Sequence, residues 1–228
     1  MKKLLVIASM LFASSSAMAD DFWVTQYRAA PGKFPALLKL VKNTDWQVLP
    51  AGAPIMMRHS QGNHWDLMLL GNNAECETSK CQTTLSAFEQ AVDQLVDFDL
   101  TFLASSSTSW KELKAINEET GLYHIEMFQA GSGNHEALMR QRVIENNFID
   151  RIGQNPNEIF EVSIGSDFDI FTIGFYKNLQ VYATPADVTQ EQTEAAAKAA
   201  GFKNRADVSF LLRELIVGHQ DTLAVKVK

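Results

Sequence analysis

The stretch Phe22-Trp23-Val24-Thr25-Gln26-Tyr27-Arg28-Ala29-Ala30-Pro31-Gly32 returns 101 positions later as Tyr123-His124-Ile125-Glu126-Met127-Phe128-Gln129-Ala130-Gly131-Ser132-Gly133. Ala29, Gly32, Ala36 and Leu37 reappear unchanged as Ala130, Gly133, Ala137 and Leu138. A second block repeats at an offset of 103, where Gly62, Asp66 and Gly71 become Gly165, Asp169 and Gly174, and Trp65 and Leu67 face Phe168 and Ile170. A third match, at an offset of 122, sets Phe88 against Phe210 and Asp99 against Asp221. The three matches keep the same order along the chain, which marks an internal duplication, and such a repeat constrains architecture before any local pattern does.

Each copy then reads alike. Residues 22 to 29 are aromatic, β-branched and alternating, which predicts a strand, and Pro31-Gly32 punctuates it before a helical run through Leu37, Leu38, Leu40 and Val41. Residues 53 to 60 and 64 to 71 are apolar runs around Gln61-Gly62-Asn63, the composition of a hairpin turn. Ser86 to Val96 places Ala87, Ala91, Val92, Leu95 and Val96 at helical spacing, and residues 99 to 104 close the unit as a strand. The second copy supplies a strand over 122–130, a helix over 134–152, strands over 158–164 and 168–175, a helix over 204–217 and a strand over 221–227. An additional helix is expected over Gln190 to Ala200, with Thr189 as N-cap and Gly201 beyond its C-terminus. Residues 105–121, rich in Ser, Thr and charge, are expected as the linker between a first half, 20–104, and a second half, 122–228.

The order βαββαβ is that of a ferredoxin-like unit, an α+β arrangement with both helices on one face of an antiparallel sheet. Two tandem ferredoxin-like units can cover each other sheet to sheet, forming one α/β barrel with helices outside. In this element order, with an aromatic first strand, a Gly before the first helix and a Trp/Phe-Asp opening the third strand, the chain resembles the dimeric α/β-barrel superfamily in its fused tandem form. Its stress-responsive and antibiotic-monooxygenase-like branches are the nearest in kind. The leading expectation is a small-molecule-binding barrel; the alternative that the resemblance allows is a cofactor-independent monooxygenase or related oxidoreductase acting on a small organic substrate. A structural or interaction module with a side-chain-filled barrel is the remaining class. Some tandem barrels of this superfamily bind haem through a helical His, but no Cys-x-x-Cys-His attachment site occurs here, so no cofactor is expected.

Residues 1 to 19 read as a cleavable secretory signal: Lys2 and Lys3, an apolar run from Leu4 to Ala13, and a small-x-small end at Ala17-Met18-Ala19. The expected destination is the periplasm, with no membrane attachment after cleavage. Removing Lys2 and Lys3 from the 20 basic residues leaves 18 against 27 acidic, a formal balance of −9, which argues against nucleic acid as a partner. The only two cysteines, Cys76 and Cys81, lie close in sequence, and in an oxidising compartment they are expected to form a local disulfide. A chain carrying both halves need not find a partner, so a monomer or weak homodimer is expected.

Alternation assigns the candidate site. Tyr123, Ile125 and Met127 are uniformly apolar and are expected to press on the helices, which leaves His124, Glu126 and Phe128 facing into the barrel, with Trp23, Thr25 and Tyr27 as their first-half equivalents. His124 and Glu126, two apart on one face, have the chemistry of a general acid/base pair. They serve equally as a polar lining at the barrel mouth. Trp23, Tyr27 and Phe128 are the expected ligand-binding aromatics for a small apolar or aromatic molecule. Asp66, Asp169, Asp99 and Asp221 recur in both halves and are expected to bond backbone amides at strand starts. His59, His64 and Asp66 gather around one hairpin, but hairpin ends are commonly just polar, and no metal site is assigned. His219 is expected at a helix C-terminus, where the dipole favours it, and His135 at an exposed helix start.

Overall fold

The repeated stretch forms two strands, β1 (Asp20–Ala29) and β5 (Leu122–Ala130), each central in its own half. In the computed structural model, which describes residues 20–62 and 64–228, the first half continues through α1 (Phe34–Asn43), β2 (Ile55–Gln61), β3 (Leu67–Asn72), α2 (Ser79–Val92) and β4 (Val96–Ser106). Helix α3 (Trp110–Glu118) leads into β5, followed by α4 (His135–Arg151), β6 (Glu158–Ile164), β7 (Ile170–Tyr176), α5 (Leu179–Ala183), α6 (Gln190–Ala200), α7 (Asp207–Leu215) and β8 (Ile216–Lys226). The signal expected over residues 1 to 19 lies outside the described residues. No helix among the described residues is long and apolar enough to cross a membrane.

The strands close in the order β1-β3-β2-β8-β5-β7-β6-β4, an eight-stranded antiparallel barrel assembled from two ferredoxin-like sheets. Two seams join the halves. One pairs β2 with β8 from Met57↔Lys226 to Gln61↔Leu223, and the other pairs β4 with β6 from Leu103↔Ile164 to Ser105↔Glu161. A glycine stands at each seam. A Cβ on Gly62 would lie 2.2 Å from the Asp221 carbonyl oxygen, and one on Gly165 would lie 2.7 Å from that of Thr101. Both have positive φ, so a side chain is excluded by backbone conformation and by contact alike.

Closure decides which face of each strand is internal. Phe22, Met57, Leu70, Phe102, Tyr123, Phe160, Phe171 and Ala224, one from each of the eight strands, belong to a single buried core. Across it Gln26 of β1 reaches the Met127 sulfur of β5 at 3.5 Å, from the far side of the barrel. Tyr123, Ile125 and Met127 therefore point inward, and the expected assignment of faces is reversed. His124, Glu126 and Phe128, with Trp23, Thr25 and Tyr27, lie on the outer face beneath the helices. The reason is physical. A closed barrel buries both faces of each strand, and its interior, without a water-facing rim, takes the drier set, while the layer between sheet and helices opens to solvent at its margins.

Residues 105–121 are more than a linker. Ser109 begins α3 in a capping box with Glu112, and Trp110 and Leu113 enter the barrel core at one end. Trp65 joins the same core from the hairpin side. Helix α2 starts at Ser79, earlier than periodicity alone indicates, because the Thr78 hydroxyl accepts the Cys81 amide at its N-terminus. The disulfide Cys76–Cys81, with Cα atoms 5.8 Å apart, spans this cap. Helix α6 runs from Gln190 to Ala200 with the Thr189 cap and left-handed Gly201 that the sequence predicts, and its Ala196, Ala197 and Ala200 pack with Phe148 of α4.

Candidate functional site

On the outer face of the first half, α1, α2 and the short 3-10 turn Trp46–Val48 stand off from β1, β3 and β4 and leave a cleft of about 870 Å³. That volume is within the range of small-molecule sites. Trp23, Thr25 and Tyr27 come from alternate positions of β1, Gly71 from β3, and Asp99, Thr101 and Leu103 from β4. Trp46 and Phe88 close it on the helical side, with rings 4.8 Å apart edge to face, and the Trp46 indole is fixed by donating to the Val41 carbonyl at 2.7 Å. Gly71 makes the floor possible: a Cβ there would stand 2.3 Å from the Trp23 ring, so only glycine lets the indole lie against β3. The loop from Asn72 to Cys76 forms one wall, and the disulfide ties it to α2.

The polar groups of this cleft are ordered by strand register. Thr25 pairs directly with Thr101, their hydroxyls 2.9 Å apart, and Tyr27 pairs with Asp99. Burial, with the charges of Asp99 and Glu89, pushes the Tyr27 phenol well above its ordinary range despite a hydrogen bond with Thr25, so it stays protonated at neutral pH. Glu75, Glu89, Asp93 and Asp99 line the cleft, and no Lys, Arg or His stands among its lining residues. Such a rim opposes anionic ligands and accepts neutral or cationic ones. A haem does not fit it: among the described residues the lining offers no His or Met, its cysteine is in a disulfide, Tyr27 is held as a neutral phenol, and the rim of carboxylates would repel the anionic propionates.

The corresponding outer face of the second half is polar. His124 and Glu126 on β5 stand beside His219 and Asp221 on β8, with Glu126 directly opposite Asp221 and Phe128 opposite His219. His124 and Glu126 share this face, and each bonds across to β8. His124 Nε2 lies 2.8 Å from Asp221 Oδ1, and His219 Nε2 lies 3.3 Å from Glu126 Oε1. Burial raises the Glu126 pKa, but the His219 hydrogen bond and the charges of His124, Arg142 and His219 outweigh it and hold the carboxyl below its usual range. Tyr182 of α5 packs on His124 at 5.1 Å between ring centres, and Phe128 is fully buried, stacked on His219 at 4.9 Å beneath the Arg142 guanidinium.

Of the five residues singled out in the sequence, Trp23 and Tyr27 therefore line the cleft, whereas His124, Glu126 and Phe128 belong to the polar cluster of the other half. Sequence reasoning missed Trp46, Phe88 and Thr101 in the cleft, and the grouping of His219 with His124. His219 sits inside β8, which begins at Ile216, and is not a helix-terminal residue. Alternation along residues 217 to 223 was the signal that places His219 and Asp221 on one face. The hairpin group disperses: Asp66 accepts the Ala29 amide at 2.8 Å, His59 packs on Trp65, and His64 meets Phe98. Among the described residues, the ligand-type atoms that gather within 4.8 Å of one another are those of His124, Glu126 and Asp221.

No family model matches the sequence, and no curated protein matches it. Solved structures do. The chain superposes on an anthrone oxidase-like protein with a TM-score of 0.56 at 8% identity, covering 92% of each chain. A candidate monooxygenase from Lactobacillus acidophilus matches at a TM-score of 0.52 and 6% identity, covering 92% of this chain and 95% of that one. A candidate chlorite dismutase matches at 0.54 and 10%, with the same coverage. What the chain shares with them is the fold, a closed antiparallel barrel of two tandem ferredoxin-like α+β units with helices outside.

Proposed function

We propose that the protein is a monooxygenase-like oxidoreductase without a bound cofactor, which takes a neutral or cationic aromatic small molecule in the first-half cleft. The single observation that carries this reading is the cleft itself: about 870 Å³, walled by Trp23, Tyr27, Trp46 and Phe88, and rimmed by carboxylates with no basic residue in its lining. The aromatic walls supply apolar area and ring-stacking geometry for a flat ligand. The acidic rim disfavours chlorite, an anion, as substrate. Likeness to an anthrone oxidase-like protein and to candidate monooxygenases supports the same choice at the level of fold.

Asp99 and Glu89 are the carboxylates positioned to take a proton from an acidified C–H or phenolic O–H of such a ligand, and Tyr27 is the neutral donor that faces it. An activated methylene so deprotonated is electron-rich enough to reduce O2. The balance is one CH2 and one O2 giving one C=O and one water, with O2 as the sole oxidant. Export to the periplasm as a monomer or weak homodimer completes the proposal, supported by the Lys2-to-Ala19 leader pattern and by the disulfide.

Anthrone serves as the probe. Titrating it should quench the fluorescence of Trp23 and Trp46 saturably, and an oxygen electrode should register uptake that Asp99→Asn slows by at least tenfold. Quenching without oxygen uptake would reduce the protein to a binder, and no saturable quenching would remove the cleft from consideration. N-terminal sequencing of the chain recovered from periplasm should begin at Asp20.

A further inference from the structure

The second half carries a different device on the equivalent surface. Strand β5 presents His124-x-Glu126 and strand β8 presents His219-x-Asp221, four alternate positions on one face of two adjacent antiparallel strands. The register puts the carboxylates of Glu126 and Asp221 directly across from each other. Like charges so placed destabilise a sheet unless a cation lies between them. The imidazoles occupy the flanking positions, with His124 Nε2 at 2.8 Å from Asp221 and His219 Nε2 at 3.3 Å from Glu126. One ligand atom each from His124, Glu126 and Asp221 falls within a 4.8 Å span, close to the separations that bonds of about 2.0–2.2 Å to one ion require.

We propose that His124, Glu126 and Asp221 form a binding site for one divalent first-row transition ion, of the zinc, cobalt or iron(II) kind, with His219 holding Glu126 from outside. An imidazole with two carboxylates is a donor set for such ions, whereas magnesium and calcium favour oxygen alone. The ligands are oriented by a second layer. Phe128 stacks on the His219 ring with an interplanar angle of 8°, Tyr182 covers His124, and Thr172 Oγ1 donates to Glu126 at 3.5 Å. Outer partners of this type hold ligating rings and carboxylates in place. Arg142, the nearby cation, is ion-paired with Glu145 and lies over the Phe128 ring.

The duplication supplies an internal comparison. The first-half positions equivalent to His124, Glu126, His219 and Asp221 are Trp23, Thr25, Asp97 and Asp99. Only the aspartate recurs, so the barrel itself does not demand two imidazoles and a glutamate here. Asp221 is the most exposed of the four, with 58% of its side chain accessible, against 14% for His124 and for Glu126. The site thus opens on the Asp221 side, where solvent or a small ligand can reach the ion.

The test uses the tag-free chain, stripped with a chelator and titrated with cobalt(II). Visible absorption should saturate at one equivalent and fall when zinc(II) is added. His124→Ala and the isosteric Glu126→Gln should each weaken binding by roughly 100-fold. His135→Ala, which alters a separate histidine beside Glu161 and Asp169, should leave it unchanged. In the unsubstituted protein, zinc should shift the ring resonances of His124 and His219 and leave the other three of its five histidines in place, a readout that needs no variant to fold. Absence of saturable uptake, equal uptake by the His124→Ala and Glu126→Gln variants, loss of uptake in His135→Ala, or shifts confined to other histidines would each overturn the proposal.

Discussion

Asp66 and Asp169 do the same work in the two halves. Each accepts the amide of a residue displaced by a β-bulge, Ala29 at 2.8 Å and Ala130 at 2.7 Å, where the register of the first strand against the fourth shifts. The strand ladder cannot reach these amides, so the carboxylates replace it. Asp169→Ala should lower unfolding free energy by about 1–3 kcal/mol, the cost of leaving a partly buried donor unpaired, as read by urea denaturation. These aspartates were legible in the sequence because they recur. Asp221 recurs as well, but it lies within β8 and bonds His124 where a backbone amide was expected; its role and that of His219 were not legible, since their partners on β5 lie nearly a hundred residues away and only the barrel's register joins them. His135 tests the same neighbourhood by pH. Its hydrogen bond to Glu161 is the largest of the influences that raise its pKa, with Asp169 adding to it against some burial. A folded pKa above the unfolded value of about 6.5 means the stabilisation is complete below that pH and fades as pH rises through the folded value. His135→Gln should therefore cost stability at about pH 5.5 and little at about pH 9, as measured by thermal melts across that range.

Helix α3 was hidden for a local reason. Its segment is rich in Ser, Thr and charge, which reads as a linker, and its apolar positions Trp110, Leu113 and Ile116 span barely two turns of a nine-residue helix. Trp110 and Leu113 matter because they close the barrel where the strands end. The Trp110 indole donates to the Ala51 carbonyl at 2.8 Å, its amide donates to Asp20, and its ring packs against Phe22 at 6.2 Å. Trp110→Ala should cost about 3–5 kcal/mol, the range for emptying a large aromatic site in a core. Ser109→Ala, which breaks only the cap, should cost about 1 kcal/mol. Denaturant midpoints for the two variants should separate accordingly, and equal losses would mean that the plug contributes nothing beyond the helix it sits on. Helices α1, α2, α4 and α7 were legible because an amphipathic stripe repeats along each one. The reversed faces of β1 and β5 were not, because both faces of a barrel strand are buried and apolar content alone does not say which is inside.

At the scale of the molecule, the duplication builds one closed object from two units that have since diverged. The pseudo-equivalent outer faces now hold an open aromatic cleft on one side and a polar histidine-carboxylate cluster on the other, while the interior remains common property. That shared interior sets the last prediction. Residues 20–121 alone would carry β1 to β4 and α3 but lose both seams, leaving the edges of β2 and β4 unpaired and the inner side chains of Phe22, Met57, Leu70 and Phe102 in water. A single sheet with one helical layer cannot cover that face. The isolated half should therefore self-associate, with two copies standing in for the missing half, or remain unfolded; light scattering after size-exclusion chromatography should find no folded monomer. Mixed with residues 122–228 it should instead give a 1:1 complex, since β8 and β6 restore the two missing edges and Met127 returns opposite Gln26. A stable, monodisperse half with native-like circular dichroism would show that the seams are dispensable and that the two units share an interior without depending on it.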